Sequence, residues 1–169
     1  YKEVKKIQDF VIAIDTSMSC SGELVKTFLS ETCGILLETE SFFKKVRIHI
    51  IQCDEKIQHD ARIGSVEELK DYMEHFELKG GGGTDFRPVF SHVEELREQG
   101  ELRGLKGLLY FTDGKGRYPK KRPDYDVAFL FMQEDYTDVA VPPWAMRLIL
   151  SAPDLEEAGK RLDKNIKFV

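Results

Sequence analysis

The sequence predicts an α/β fold: a doubly wound, Rossmann-like sheet of about six strands, mostly parallel with one antiparallel edge strand, and helices on both faces. Three observations predict it. Short β-branched apolar runs, such as Phe10-Val11-Ile12-Ala13-Ile14, lack the polar alternation of a sheet wetted on one side, so they read as strands buried on both faces. Segments with helical periodicity lie between them and supply the covering layers. Two of the runs end in an aspartate, Asp15 and Asp113, and the carboxyl ends of strands are where open α/β sheets hold ligands.

A chain of 169 residues is the size of one ordinary domain and can bury a substantial core. Residues 1–151 are expected to form that domain, with residues 152–169 a charged tail that can make a short helix from Asp154. No apolar run approaches the roughly 18 residues of a membrane span, so no bilayer crossing is expected. A formal net charge of -5 gives no general attraction for nucleic acid. Cys20, Cys33 and Cys53 lack metal-finger or C-x-x-C spacing, and they read as reduced core residues of a cytoplasmic protein. The first residues show no basic, apolar and small-residue pattern, so no secretory signal is expected from them. A first residue other than Met is compatible with a piece of a longer polypeptide.

In chain order, Gln8 to Ile14 reads as a central parallel strand. Leu24, Val25, Phe28, Leu29, Ile35 and Leu36 then mark one face of a helix from about Gly22 to Thr39, with Ser19 or Ser21 as its N-cap. Val46 to Cys53 and Lys56 to Ile63 read as a hairpin joined at Asp54-Glu55. Ser65-Val66-Glu67-Glu68 is a capping box, and Val66, Leu69, Met73 and Phe76 predict a second helix ending near Leu78. Gly80 to Gly83 predict a loop with unusual dihedrals or a close approach. A third helix follows from Phe86 to about Leu96, with Pro88 in its first turn and Asp85 as either its N-cap or an acid behind the site. Gly107 to Thr112, Asp126 to Met132 and Ala145 to Leu150 are the remaining strands.

The chemistry-bearing residues sit at these strand ends. Asp15-Thr16-Ser17-Met18-Ser19 reads D-x-S-x-S, a carboxylate and two hydroxyls two residues apart on a turn. Thr84 follows the glycines, and Asp113 ends its own strand. Together Asp15, Ser17, Ser19, Thr84 and Asp113 offer five hard oxygen donors from three loops, suited to Mg²⁺, with Mn²⁺ or Ca²⁺ as alternatives, and with a sixth position left open. The glycines are not a P-loop, since no Lys-Ser/Thr follows them, and the four histidines have no metal-ligand spacing.

This ordered set resembles the von Willebrand factor A (VWA) domain and its metal-ion-dependent adhesion site (MIDAS). It is most similar to the bacterial VWA-like domain found after a metallopeptidase-like region and encoded beside MoxR-type AAA+ ATPases. Gly80-Gly81-Gly82-Gly83-Thr84-Asp85-Phe86, Phe111-Thr112-Asp113-Gly114, Pro123-Asp124-Tyr125-Asp126 and Pro142-Pro143 carry that likeness, which spans roughly Asp9 to Leu150. The resemblance implies that Ser17 and Ser19 ligate the ion directly, Thr84 directly or through water, and Asp15 and Asp113 often through water. It further implies that a partner's Asp or Glu completes the octahedron. Met18 departs from the family's usual glycine and is expected to narrow the mouth of the site without removing a ligand.

The resulting expectation is a non-enzymatic, metal-dependent protein-interaction module with no catalytic residue, whose partner is a MoxR-type AAA+ ATPase or its substrate. The rival reading is a Mg²⁺-dependent phosphohydrolase with Asp15 as nucleophile. It is weakened by Ser17, which stands where such an enzyme needs a second carboxylate as acid and base. The basic residues Lys115, Arg117, Lys120, Lys121 and Arg122 are either a solvated loop or a device that steers an acidic partner.

Overall fold

Residue parity along the strands sorts the core into two layers. In a computed structural model, which describes residues 8–17, 22–37, 46–112, 114–132 and 141–150, Val11 and Ala13 face one side of the sheet and Ile12 and Ile14 the other, all buried. Strands β1 (Gln8–Asp15), β2 (Val46–Cys53), β3 (Ile57–Ile63), β4 (Leu105–Thr112), β5 (Asp126–Met132) and β6 (Met146–Leu150) form one sheet in the order β3-β2-β1-β4-β5-β6. Every neighbouring pair is parallel except β2 and β3, so the predicted fold and its antiparallel edge strand are present.

Helix α1 (Gly22–Leu37) and helix α2 (Val66–Glu74) cover one face, where Val25, Phe28, Leu29 and Leu69 pack on Ile12, Ile14, Ile48 and Ile50. Helix α3 (Arg87–Glu98) covers the other through Val89, Phe90, Val93 and Leu96. The far edge strand, β6, leaves Met146, Leu148 and Ile149 exposed among the described residues. The predicted tail helix from Asp154 lies outside the described residues, as do the last two residues of the expected first helix.

The Ser65 half of the capping box forms, with Ser65 Oγ accepting the Glu68 N–H at 3.1 Å, while the Glu68 carboxylate reaches past the cap and accepts the N–H of Gly64 at 2.8 Å. Helix α2 is shorter than its apolar stripe. It ends at Glu74 with His75 as C-cap, and Phe76 is buried from the loop beyond it. Among the cysteines, Cys53 is buried and free, and burial pushes its thiol up to about 12. It is therefore neutral at physiological pH.

Two histidines meet on one carboxylate at the hairpin edge. His49 Nδ1 lies 3.0 Å from one oxygen of Asp60, and His92 Nε2 of α3 lies 2.8 Å from the other. A carboxylate only accepts, so each ring nitrogen donates. Burial raises Asp60, but the two imidazole bonds outweigh it and hold the carboxyl below its ordinary 3.8. A folded-state value below the unfolded one means that the stabilisation is complete above that value and is lost as pH falls through the folded value. Asp60→Ala is expected to lower stability by about 2 kcal/mol at neutral pH. Urea unfolding should show the gap from wild type narrowing below the ordinary carboxylate range.

Candidate metal centre

Asp15 is fully buried at the carboxyl end of β1, opposite Cys53 in the β2 register. The ladder continues one residue further, with the Thr16 N–H donating to Cys53 O at 2.9 Å. There the chain turns on its own carboxylate: Asp15 Oδ1 accepts the Ser17 N–H at 2.9 Å. Asp15 Oδ2 accepts the Thr112 hydroxyl at 2.6 Å, and Thr112 Oγ1 accepts the Gly114 N–H at 3.1 Å. One relay thus runs from the turn after β1 to the turn after β4. Ser17 is buried at its start, and Thr112 and Gly114 stand at its end. Ser19 and Asp113 themselves lie outside the described residues.

The glycine loop is stitched to both neighbours. Gly80 adopts a φ of +131°, and a Cβ there would lie 2.3 Å from Thr16 Oγ1, so only glycine fits this approach to the β1 turn. The Asp85 N–H donates to Asp54 O, and the Phe86 N–H donates to Arg117 O at 3.1 Å. A Cβ on Gly116 would meet the Thr84 methyl at 2.8 Å, which places half-buried Thr84 directly against the loop that follows Asp113. The structure therefore brings Asp15 and Ser17 into one turn and brings the loops carrying Thr84 and Gly114 alongside it.

Two contributors were not singled out in the sequence. Thr112 fixes Asp15. Asp54, buried in the hairpin turn, binds the Lys56 N–H at 2.9 Å, the Gln58 amide at 3.0 Å and the Gly82 N–H at 3.1 Å. Burial raises Asp54, yet these three donors prevail and hold it below 3.8. It buckles the glycine loop to β2. Asp54→Ala is expected to cost about 2 kcal/mol, because it removes three hydrogen bonds accepted by a buried carboxylate. It should also remove the hydrogen-exchange protection of the Gly82 amide.

Asp85 is not the N-cap, which is Phe86 without a side-chain cap bond; from one residue earlier its Oδ1 accepts the Arg87 N–H at 3.0 Å, and the Arg87 guanidinium, paired with it, holds its carboxyl low. Among the described residues, no group of three or more His, Cys, Asp or Glu stands in a metal-ligand arrangement. The donors in this centre are one carboxylate with hydroxyls. That is an oxygen set for a hard cation, and it fits Mg²⁺ by donor type.

The family profile described as "VWA-like domain (DUF2201)" matches residues 10–151. The chain belongs to this family. VWA-like domains are commonly protein-interaction modules. A comparison with curated proteins gives no match. Among solved structures, this VWA-like domain is similar to the SpRpn10 VWA domain, with a TM-score of 0.58 and 9% identity over 92% of this chain and 95% of that one. It is also similar to proximal thread matrix protein 1 from the mussel byssus, with a TM-score of 0.65 and 14% identity over 96% of this chain and 47% of that one. A third similar structure is the pilus adhesin SpaC from Lactobacillus rhamnosus GG, with a TM-score of 0.59 and 11% identity over 96% of this chain and 30% of that one. The VWA-like domain thus spans half or less of the adhesin and byssus chains. At these identities the likeness shows the fold alone. Among the described residues, no helix is long and apolar enough to cross a membrane.

Proposed function

We propose that this VWA-like domain is a metal-dependent adaptor, in which Mg²⁺ bound at the carboxyl edge of the sheet presents an open position to an Asp or Glu of a partner protein. Ser17, Ser19 and Thr84 would hold the ion, with Asp15 and Asp113 balancing its charge directly or through water. The bound ion would supply Lewis acidity toward an incoming carboxylate. The observation that carries this reading is the relay through Asp15. Its two oxygens are pinned by the Ser17 N–H and the Thr112 hydroxyl, so the carboxylate is pre-positioned between two loops that each bear further oxygen donors.

Ser17 favours the adaptor over a phosphohydrolase, because it stands two residues after Asp15, where such an enzyme needs a second carboxylate as acid and base. We assign the domain no catalytic residue and place it in the cytoplasm. The MoxR-type AAA+ ATPase suggested by the sequence resemblance is the first partner to test. Purified ATPase should bind the immobilised domain in Mg²⁺ or Mn²⁺, dissociate in EDTA and fail to bind Ser17→Ala/Ser19→Ala. Binding that survives EDTA unchanged would overturn the metal-dependent reading. Turnover of a generic phosphoester that Asp15→Asn abolishes would promote the enzyme instead.

A further inference from the structure

On the α3 face of the sheet, α3 and the connection from β4 to β5 enclose a groove of about 510 Å³. Its apolar lining comes from Phe90, Tyr125, Pro119 and Pro123, with Lys121 and Arg122 at its edge. The two walls are pinned together. Arg97 of α3 makes paired hydrogen bonds to Asp124 at 2.6 and 3.0 Å, contacts Glu94 at 3.2 Å and lies 5.8 Å from the centre of the Tyr125 ring. The groove is therefore shaped before any partner arrives.

Charge on the rim is anomalous for this chain. The net charge is -5, yet the connection after β4 carries five cations in eight residues, Lys115, Arg117, Lys120, Lys121 and Arg122, of which Lys121 and Arg122 line the groove itself. Lys120, Lys121 and Arg122 are exposed and have no ion-pair partner among the described residues. Glu94 and Asp124, the nearby acids, are engaged by Arg97. An acidic chain is repelled by most of this surface and attracted here, which gives the contact a defined place and orientation.

We propose that this groove docks an acidic segment of a partner protein that carries one large apolar side chain. That side chain seats against the half-buried Pro119 and Pro123, with the largely buried Phe90 and Tyr125 forming the floor beneath it, and the flanking carboxylates meet Lys121 and Arg122. A nucleic acid fits less well. Phe90 and Tyr125 are only 7% and 8% exposed, so neither offers a ring face for stacking a base. The proposal needs no metal and goes beyond the adaptor reading.

The test is a titration of the ¹⁵N-labelled chain in EDTA with a Glu-rich peptide bearing a central Phe. Its controls are the same peptide with Gly for Phe, a Lys-rich peptide with the Phe, and a short oligothymidylate. The expected result is amide shifts confined to Ser91, Glu94, Lys121, Arg122 and Tyr125. Affinity should fall at least ~10-fold in Lys121→Glu/Arg122→Glu and should also weaken for the Gly peptide. Shifts elsewhere, no shifts, an equal response to the Gly peptide, or equal or tighter binding of the oligothymidylate would overturn it. Binding that appears only after Mg²⁺ is added also overturns it while leaving the metal centre standing. Groove binding in EDTA supports it whatever the fate of the metal reading.

Discussion

Magnesium at about a hundred times its Kd should raise the melting temperature of the wild-type domain and leave Ser17→Ala/Ser19→Ala where it was. A ligand bound only by the folded state at that excess stabilises by about 2.7 kcal/mol. For a chain of this size each kilocalorie moves the midpoint by roughly 2–4 °C, so the expected shift is roughly 5–10 °C. The double serine variant is the better comparison than Asp15→Ala. Truncating Asp15 would orphan the Ser17 N–H and the Thr112 hydroxyl in a buried setting and destabilise the chain with or without metal. Scanning calorimetry with Mg²⁺ and with EDTA separates the two effects. Equal shifts in wild type and the serine variant would mean that the ion binds elsewhere.

Phe129→Ala is expected to be the most damaging single truncation of the core. Phe129 is fully buried on β5, with its ring 5.5 Å from Tyr110, 5.6 Å from Phe86 and 5.0 Å from Tyr118. Removing a buried phenyl group costs about 3–5 kcal/mol through lost transfer energy and the cavity left behind. That corresponds to a fall of roughly 8–16 °C for a typical value of about 4 kcal/mol. The damage should reach the candidate metal centre. Phe86 follows Thr84 by two residues, and the Tyr118 hydroxyl donates to Gly114 O at 3.1 Å, so two of the rings that lean on Phe129 anchor site loops. Phe129→Leu, which keeps most of the volume, should recover much of the stability. If Phe129→Ala melted within a degree or two of wild type, the aromatic cluster would not be what supports these loops.

The sheet was legible in the sequence because its inner strands are buried on both faces, and such strands appear as unbroken apolar runs. Phe10 to Ile14 and Phe129 to Phe131 need no partner to be recognised. The end of α2 was not legible. Its apolar stripe runs on through Phe76, but the side chain of Gln52, buried on β2, captures the backbone beyond the helix. Its amide donates to Glu77 O at 3.1 Å and its carbonyl accepts the Lys79 N–H at 2.7 Å. Periodicity records which side chains face the core and is silent about which carbonyls a distant residue will claim. The candidate site divides the same way. Asp15, Ser17 and Thr84 announce themselves by motif, whereas Asp54 reads as an ordinary turn residue until Gly82, far along the chain, donates to it.

The position of Asp15 also decides how the molecule would bear tension. It terminates β1, which is hydrogen-bonded in parallel to β2 on one side and β4 on the other along nearly its whole length. A pull applied there along the strand axis loads both ladders in shear, so many hydrogen bonds share the force instead of opening one at a time. The same pull at β6, which has a single neighbour among the described strands, would be carried by one ladder alone. An attachment point at the end of an inner strand such as β1 would therefore bear a pull with less risk of unravelling the domain than one on an edge strand.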